Sequence, residues 1–380
     1  VFGKNNRWGT FWGASAAWEM AKESFIKDNA SWINLLKFKV SYGQQGNHDV
    51  GNNYAYLDQY TMTGANGVFS DGTLAYKGNP DLTWETAHTF NTGFDFSFWN
   101  SKLIGSIEYF SRQTSDMLYY KQVASSNGYT SIPVNFGKLR NYGLEIDLTY
   151  NILNKNGLKW DINANATFQK NKVVELHPDL NGEYINGTTY YKEGDSRYRL
   201  YLVKYAGVDP TTGQALYWAK GDMKDVYGNP VYVYDANGNL QYQKNDDGSY
   251  KYEDGHEGDD AYRIPEVEQG EYVTTNWATA NSTNKQATRD MLPDVYGGFG
   301  TTFAWKGFDF GIQFAYQLGG LIYDSGYQTL MHGYTTSSAG RNWHEDIRKA
   351  WTPENTNTDV PRLDRTDSYT SSTSDRFLIS

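Results

Sequence analysis

Carboxylates are the most plentiful reactive side chains, 44 Asp and Glu in 380 residues, and two of them held across a glycosidic bond would suit hydrolysis. Nothing in their spacing sets such a pair, and no nucleophile–base arrangement stands beside them. The six histidines, His48, His88, His177, His256, His332 and His344, are dispersed without HxH or HExxH spacing. With no cysteine in the chain, thiol nucleophiles, thiolate-bound metals and disulfides are excluded. There is no Walker loop and no GxSxG elbow, and GGFG at 297–300 is not GxGxxG. Neither an enzyme nor a cofactor is expected.

One cation hypothesis comes from YDANGN at 234–239, which precedes the acidic NDDGSYKYEDGHEGDD at 245–260. Asp235, Asn237 and Asn239 alternate as in a calcium loop, but Leu240 stands where the sharp turn needs Gly, and Asp246 replaces the bidentate Glu. A solvated hairpin with Asn-Gly and Asp-Gly turns explains the same letters better.

Aromatic rings are the other chemistry on offer, with 32 Tyr, 18 Phe and 12 Trp. Tyr119, Tyr120, Tyr190, Tyr191, Trp277 and Trp343 fall at expected outer strand ends or in outer loops, where rings could stack on a substrate or pack against a partner. Ordinary loop packing is the alternative.

These side chains must be carried by strands. Period-2 alternation recurs ten times, near 8–18, 36–42, 88–98, 103–120, 144–150, 160–168, 197–207, 214–218, 295–306 and 308–318. In the last of these Phe308, Phe310, Ile312, Phe314, Tyr316 and Leu318 oppose Asp309, Gly311, Gln313, Ala315 and Gln317. Soluble sandwiches alternate too, but here connections alternate in length. Those after the odd-numbered segments are short or moderate: about 14 residues, then 99–102, 152–157, 208–213 and 306–307. Those between are mostly long: 46–87, 121–139, about 174–196, 219–294 and the stretch beyond 319. Short turns at one rim and long loops at the other describe an outer-membrane barrel.

The expected fold is therefore all-β, an antiparallel up-and-down transmembrane β-barrel segment of about ten strands with long extracellular loops. Trp8, Trp12, Trp99, Trp160, Tyr150, Trp305 and Tyr316 read as interfacial girdle. Glu145, Asp147, Asp161, Asp309 and Gln313 read as lumen-facing. A mean hydropathy of −0.70 does not oppose this, because only alternate strand residues meet lipid. No apolar run is long enough for a membrane helix. The net charge of −10 argues against a nucleic-acid partner. The chain opens directly on a strand-like segment, so an export signal is expected upstream. No repeat at a period of 20–50 residues is visible.

GNPDLTWET at 78–86 and NFGKLRNYGLE at 135–145 carry a family resemblance. With NRWGTFWGASAAWEM at 6–20, LKFKVSYGQQGN at 36–47, GVDPTTGQALYW at 207–218, LPDVYGGFGTTFAWKGFDFGIQFAY at 292–316 and WTPENTNTDVPR at 351–362, these segments resemble, in order, the barrel of SusC/RagA-type TonB-dependent transporters. The resemblance covers nearly the whole of 1–380 and is weakest at 219–294, which reads as an extracellular loop insertion. It implies a larger, 22-stranded type of barrel in the outer membrane of a Bacteroidota-type bacterium. It also implies a plug not legible here, coupling through that plug to TonB-ExbB-ExbD, a SusD-like surface lipoprotein, and uptake of oligosaccharides or oligopeptides. A siderophore or cobalamin receptor of the wider class shares the architecture, and a surface glycan-binding or adhesin β-protein is the non-transport alternative.

Overall fold

The computed structural model describes every residue except 1, 50, 66–67, 334–339 and 365–368, and leaves out the side chains of 65 and 68–70. The chain divides into two compact units, 1–199 with 290–320, and 200–289 with 321–380.

The first unit is built on one eight-stranded antiparallel sheet: β1 Gly13–Glu19, β2 Ile33–Asn47, β3 Glu85–Phe98, β4 Leu103–Ser115, β5 Lys138–Lys155, β6 Leu158–Glu175, β7 Val295–Trp305 and β8 Phe308–Leu318. Each strand pairs with its neighbour in sequence, so the order is a pure up-and-down meander. At one rim the connections are 20–32, 99–102, 156–157 and 306–307. Both two-residue turns have left-handed backbone throughout, at Asn156 and Gly157 (φ 56° and 75°) and at Lys306 and Gly307 (φ 46° and 85°). That geometry matches the right-handed twist of the strands it joins. The long connections leave from the opposite rim.

Register decides which side chains share a face, since residues directly opposite in a ladder point the same way. Phe38 pairs with Phe94, Phe94 with Ile107, Ile107 with Ile146, and Ile146 with Ala166. One rung lower, Leu148, Ala164, Phe299 and Phe314 follow one another. One apolar face therefore runs unbroken across the sheet. Where the β5–β6 ladder would slip, a bulge beside Ile152 sets Leu153 opposite Trp160 and so keeps it on this face. Phe310 is 61% and Leu318 60% exposed, which for a surface of this extent calls for lipid rather than water. The eleven residues of β8, rising about 3.4 Å each and tilted as barrel strands are, span roughly the 25 Å apolar band of such barrels. Trp18, Trp32, Trp99, Trp160 and Trp305 all fall at the short-turn rim, and Trp32 stacks on Trp99 at 5.7 Å.

Eight strands, not ten, make this sheet. The alternating segments expected at 197–207 and 214–218 are not among them. In the second unit Tyr205–Val208, Ala215–Asp222 and Gln269–Thr274 form a separate three-stranded sheet, so the 208–213 connection is no barrel turn. Its alternation serves a small interior of its own. Ala215, Tyr217 and Ala219 are buried with Val203, Tyr272 and Ala280, the last on the helix Trp277–Thr283.

Between the second and third of these strands the chain folds on a ten-residue period, shorter than the 20–50 residues of solenoid repeats. Bridges close at Lys224–Pro230, Tyr234–Leu240 and Lys244–Tyr250, while Tyr232, Tyr242 and Tyr252 meet Val267, Pro265 and Arg263 on the returning segment. Each turn is tied by a carboxylate. Asp225 Oδ1 accepts from the Tyr227 and Asn229 amides, Asp235 Oδ1 from those of Asn237 and Asn239, and Asp247 Oδ1 from that of Ser249. The side-chain amides of Asn229 and Asn239, followed by backbone amides, hold Asp225 and Asp235 below the usual carboxylate range. A folded value lower than the unfolded one, about 3.9, means the contribution is present above the unfolded value and lost as pH falls through the folded one. Hydrogen exchange of 225–239, corrected for intrinsic rates, is expected to stay unchanged from neutrality to about pH 4 and to accelerate below it. Asp235→Asn keeps the Oδ1 acceptor for the two backbone amides, gives up the one that faces the Asn239 side chain and cannot titrate, so it should weaken its own turn at neutral pH but remove the acid step from it.

Candidate functional site

The other face of the sheet is polar, by the same register. Glu145, Asp147, Asp161, Asp309 and Gln313 all lie on it, and Gln313 Oε1 accepts a hydrogen bond from Asn163 Nδ2 at 3.3 Å. Lys39 ties three strands together, with Nζ 2.7 Å from Asp95 and 3.4 Å from Glu108. Glu108 also faces Glu145 directly across the β4–β5 ladder, a like-charge pair that costs stability unless a cation stands near. Lys39 supplies that cation. Beside it a hollow of about 280 Å³ is lined by Ser15, Lys37, Ser41, Asn91 and Gly93. Gly93 keeps the strands close: a Cβ there would fall 2.3 Å from the Ile107 carbonyl oxygen. The alternating lysines of 36–42 were legible in the sequence, but their partners on β3 and β4 depend on register, which the sequence did not supply.

The predicted aromatic residues divide, and those of the first unit stand at the long-loop end of its sheet. Tyr119, on the hairpin strand Leu118–Gln122, stacks on His177 at 5.5 Å, and together with Tyr191, Phe136, Leu139 and Arg197 it lines a cavity of about 170 Å³. Tyr191 is itself stacked on Tyr184 at 5.9 Å, with the Arg197 guanidinium 5.8 Å from its ring. Tyr120 points elsewhere and meets Tyr76 edge-on. Tyr190 is 5% exposed, and burial followed by a hydrogen bond with Glu183 pushes its phenol up to about 12. In the second unit Trp277 donates from its indole to the Thr373 carbonyl at 2.8 Å and packs on the small core, while Trp343 donates to the His332 carbonyl at 3.0 Å. Of the six, Tyr119 and Tyr191 are brought to one cavity. Asp235, Asn237 and Asn239 stay together, with both carboxylate oxygens of Asp235 engaged by donors of its own turn.

The motifs that carry the family resemblance interlock at this same end. Leu82 is fully buried with Phe2 and Ala55, against Tyr76, Trp84 and Leu118. Asn79 Nδ2 donates to the Pro133 carbonyl at 2.8 Å. Asn135 accepts from the Thr83 amide and donates to the carbonyls of Thr83 and Asp116, at 2.8, 2.9 and 2.8 Å. Asn135→Ala leaves those three backbone groups without their partner, and should cost about 2–3 kcal/mol at the latch. The loss is expected as faster hydrogen exchange over 79–85 and 116–135, with the membrane strands unchanged.

A two-faced antiparallel meander, apolar and aromatic on one side, charged on the other, with short turns at one rim, defines the wall of an outer-membrane β-barrel. The chain belongs to the TonB dependent receptor-like β-barrel family, whose model matches residues 1–221. It is accordingly a protein of the outer membrane. It is 27% identical over 379 residues to TonB-dependent receptor P3 of Formosa agariphila, covering 95% of this chain and 32% of that protein. To TonB-dependent receptor SusC of Bacteroides thetaiotaomicron it is 28% identical over 249 residues, covering 63% of this chain and 24% of the relative. The fold matches a structure of the RagAB peptide transporter with a TM-score of 0.73 at 23% identity, over 99% of this chain and 36% of that one. The chain thus spans about a third or less of the curated relatives it matches.

Proposed function

We propose that this chain is wall and outer mouth of a TonB-dependent importer that carries oligosaccharides or oligopeptides inward across the outer membrane. The observation that supports this most is the continuous polar face with its Lys39–Asp95–Glu108 bridge, a wetted surface of the kind that lines a transport lumen. Resemblance to SusC and to the fold of RagAB favours a SusD-like surface lipoprotein as partner and coupling to TonB-ExbB-ExbD through a plug. In this reading 219–294 is a loop insertion at the outer mouth, Tyr119 and Tyr191 are substrate contacts, and no covalent step or cofactor takes part.

The test is deletion of the full-length gene, followed by uptake of labelled maltooligosaccharides and of labelled mixed oligopeptides. Loss of one uptake in the deletion strain, and its loss in the wild type on adding a protonophore, are expected. Chelation of calcium should change neither. Uptake of both classes that survives deletion would sink the proposal.

A further inference from the structure

Above the apolar belt, on the same lipid-directed face, three cations stand together. Leu144 and Phe168 pair at the top of the belt; the next rung pairs Tyr142 with Lys170, and the one above it Arg140 with Lys172. Arg140 and Lys172 are thus directly opposite, a placement that destabilises a sheet when the charges are alike. None of the three has a carboxylate within ion-pair distance among the described residues. Arg140 is aimed by neighbours rather than neutralised: its guanidinium donates to Ser111 Oγ at 2.9 Å and to the Tyr109 hydroxyl at 3.3 Å, and lies 5.2 Å from the Tyr142 ring. Lys170 and Lys172 are exposed.

Below them the face has a recess. Ala166 and Ala164 continue the Lys170 side of β6 toward the membrane centre. There a hollow of about 550 Å³, lined mainly by apolar side chains, opens between Leu148, Ile162, Ala164, Phe299 and Phe314. From Lys170 to Ala164 is six residues, about 20 Å along a strand, close to the length of a fatty-acyl chain.

We infer that this strip is a binding site for a phosphate-bearing lipid of the outer leaflet. Its headgroup phosphate would neutralise Arg140, Lys170 and Lys172, and an acyl chain would lie along the alanines into the hollow. A phosphate relieves the like-charge rung as no neighbouring side chain does, and the apolar recess at acyl distance selects an amphiphile over a free anion. The site rests on the apolar face meeting lipid, a reading that fails separately if a charge at its centre proves harmless. It does not depend on which nutrient is carried.

The full-length receptor, purified in detergent, is to be titrated with fluorescent monophosphoryl lipid A and with the same lipid after removal of its phosphate. Lys170→Gln/Lys172→Gln alters only exposed side chains, and heat-modifiable migration on gels checks that its barrel is folded. Affinity for the phosphorylated lipid is expected to fall about tenfold or more in the double variant, and wild type should bind the dephosphorylated lipid about as weakly as the variant does. Millimolar inorganic phosphate should leave the bound lipid in place. Equal binding of both lipids by wild type, undiminished binding by the double variant, or displacement by inorganic phosphate would each overturn the assignment.

Discussion

Leu148→Lys is expected to destabilise the folded barrel by about 2–4 kcal/mol, and Asp147→Lys, one residue earlier, by less than about 1 kcal/mol. Leu148 lies on the apolar face at mid-height, between Gly105 of β4 and Ala164 of β6, and borders the recess near the membrane centre. An ammonium there meets hydrocarbon, and the residues on its own rung, Gly105, Ala164 and Phe299, carry no side-chain acceptor. Asp147 lies between Ser106 and Asn165 on the polar face, where Lys39, Asp95 and Glu108 already form ion pairs. Urea unfolding of the full-length receptor in lipid vesicles, with heat-modifiable migration as the assembly check, separates the two. Equal costs at the two positions would overturn the division of the sheet into lipid and water faces, and with it the wall assignment.

Tyr217→Ala is expected to unfold part of the second unit while leaving the eight-stranded sheet intact. Tyr217 is 1% exposed, surrounded by Val203, Ala215, Ala219, Tyr272 and Ala280, and meets the Tyr205 ring edge-on at 6.0 Å. Replacing a buried aromatic ring by a methyl group removes its burial and leaves a cavity the small neighbours cannot fill, at about 3–5 kcal/mol. A core of this size has little stability in reserve. Hydrogen-exchange mass spectrometry should therefore report lost protection over 203–222 and 269–284, with β2 to β6 as in the wild type. Uniform loss across both units would mean that they unfold as one.

The two variants probe parts of the chain that were unequally legible. For the sheet, 308–318 and 160–168 each separate apolar from polar residues at every second position, because lipid on one side and water on the other impose that period directly on the letters. Of the two-residue turns, 306–307 was legible as such, whereas the connection expected over 152–157 closes at Asn156-Gly157, because the strand continues through its bulge to Lys155. The sequence did not separate the strands of the wall from those of the second unit. Segments 197–207 and 214–218 alternate as the others do, but their apolar side chains meet a helix and a third strand instead of lipid.

The aromatic candidates divide in the same way. Tyr190 and Tyr191 are neighbours of one type, yet the first is buried against Glu183 and the second borders a cavity with Tyr119. Nothing at that spacing distinguishes them. The sequence by itself determined two faces, tight turns and a family, because each follows from residues a few positions apart. Tertiary structure alone decided the number of wall strands, the Lys39 bridge and the uncompensated rung of Arg140 and Lys172. These depend on which distant strand lies opposite, and alternation reads the same whatever the far side of the ladder holds.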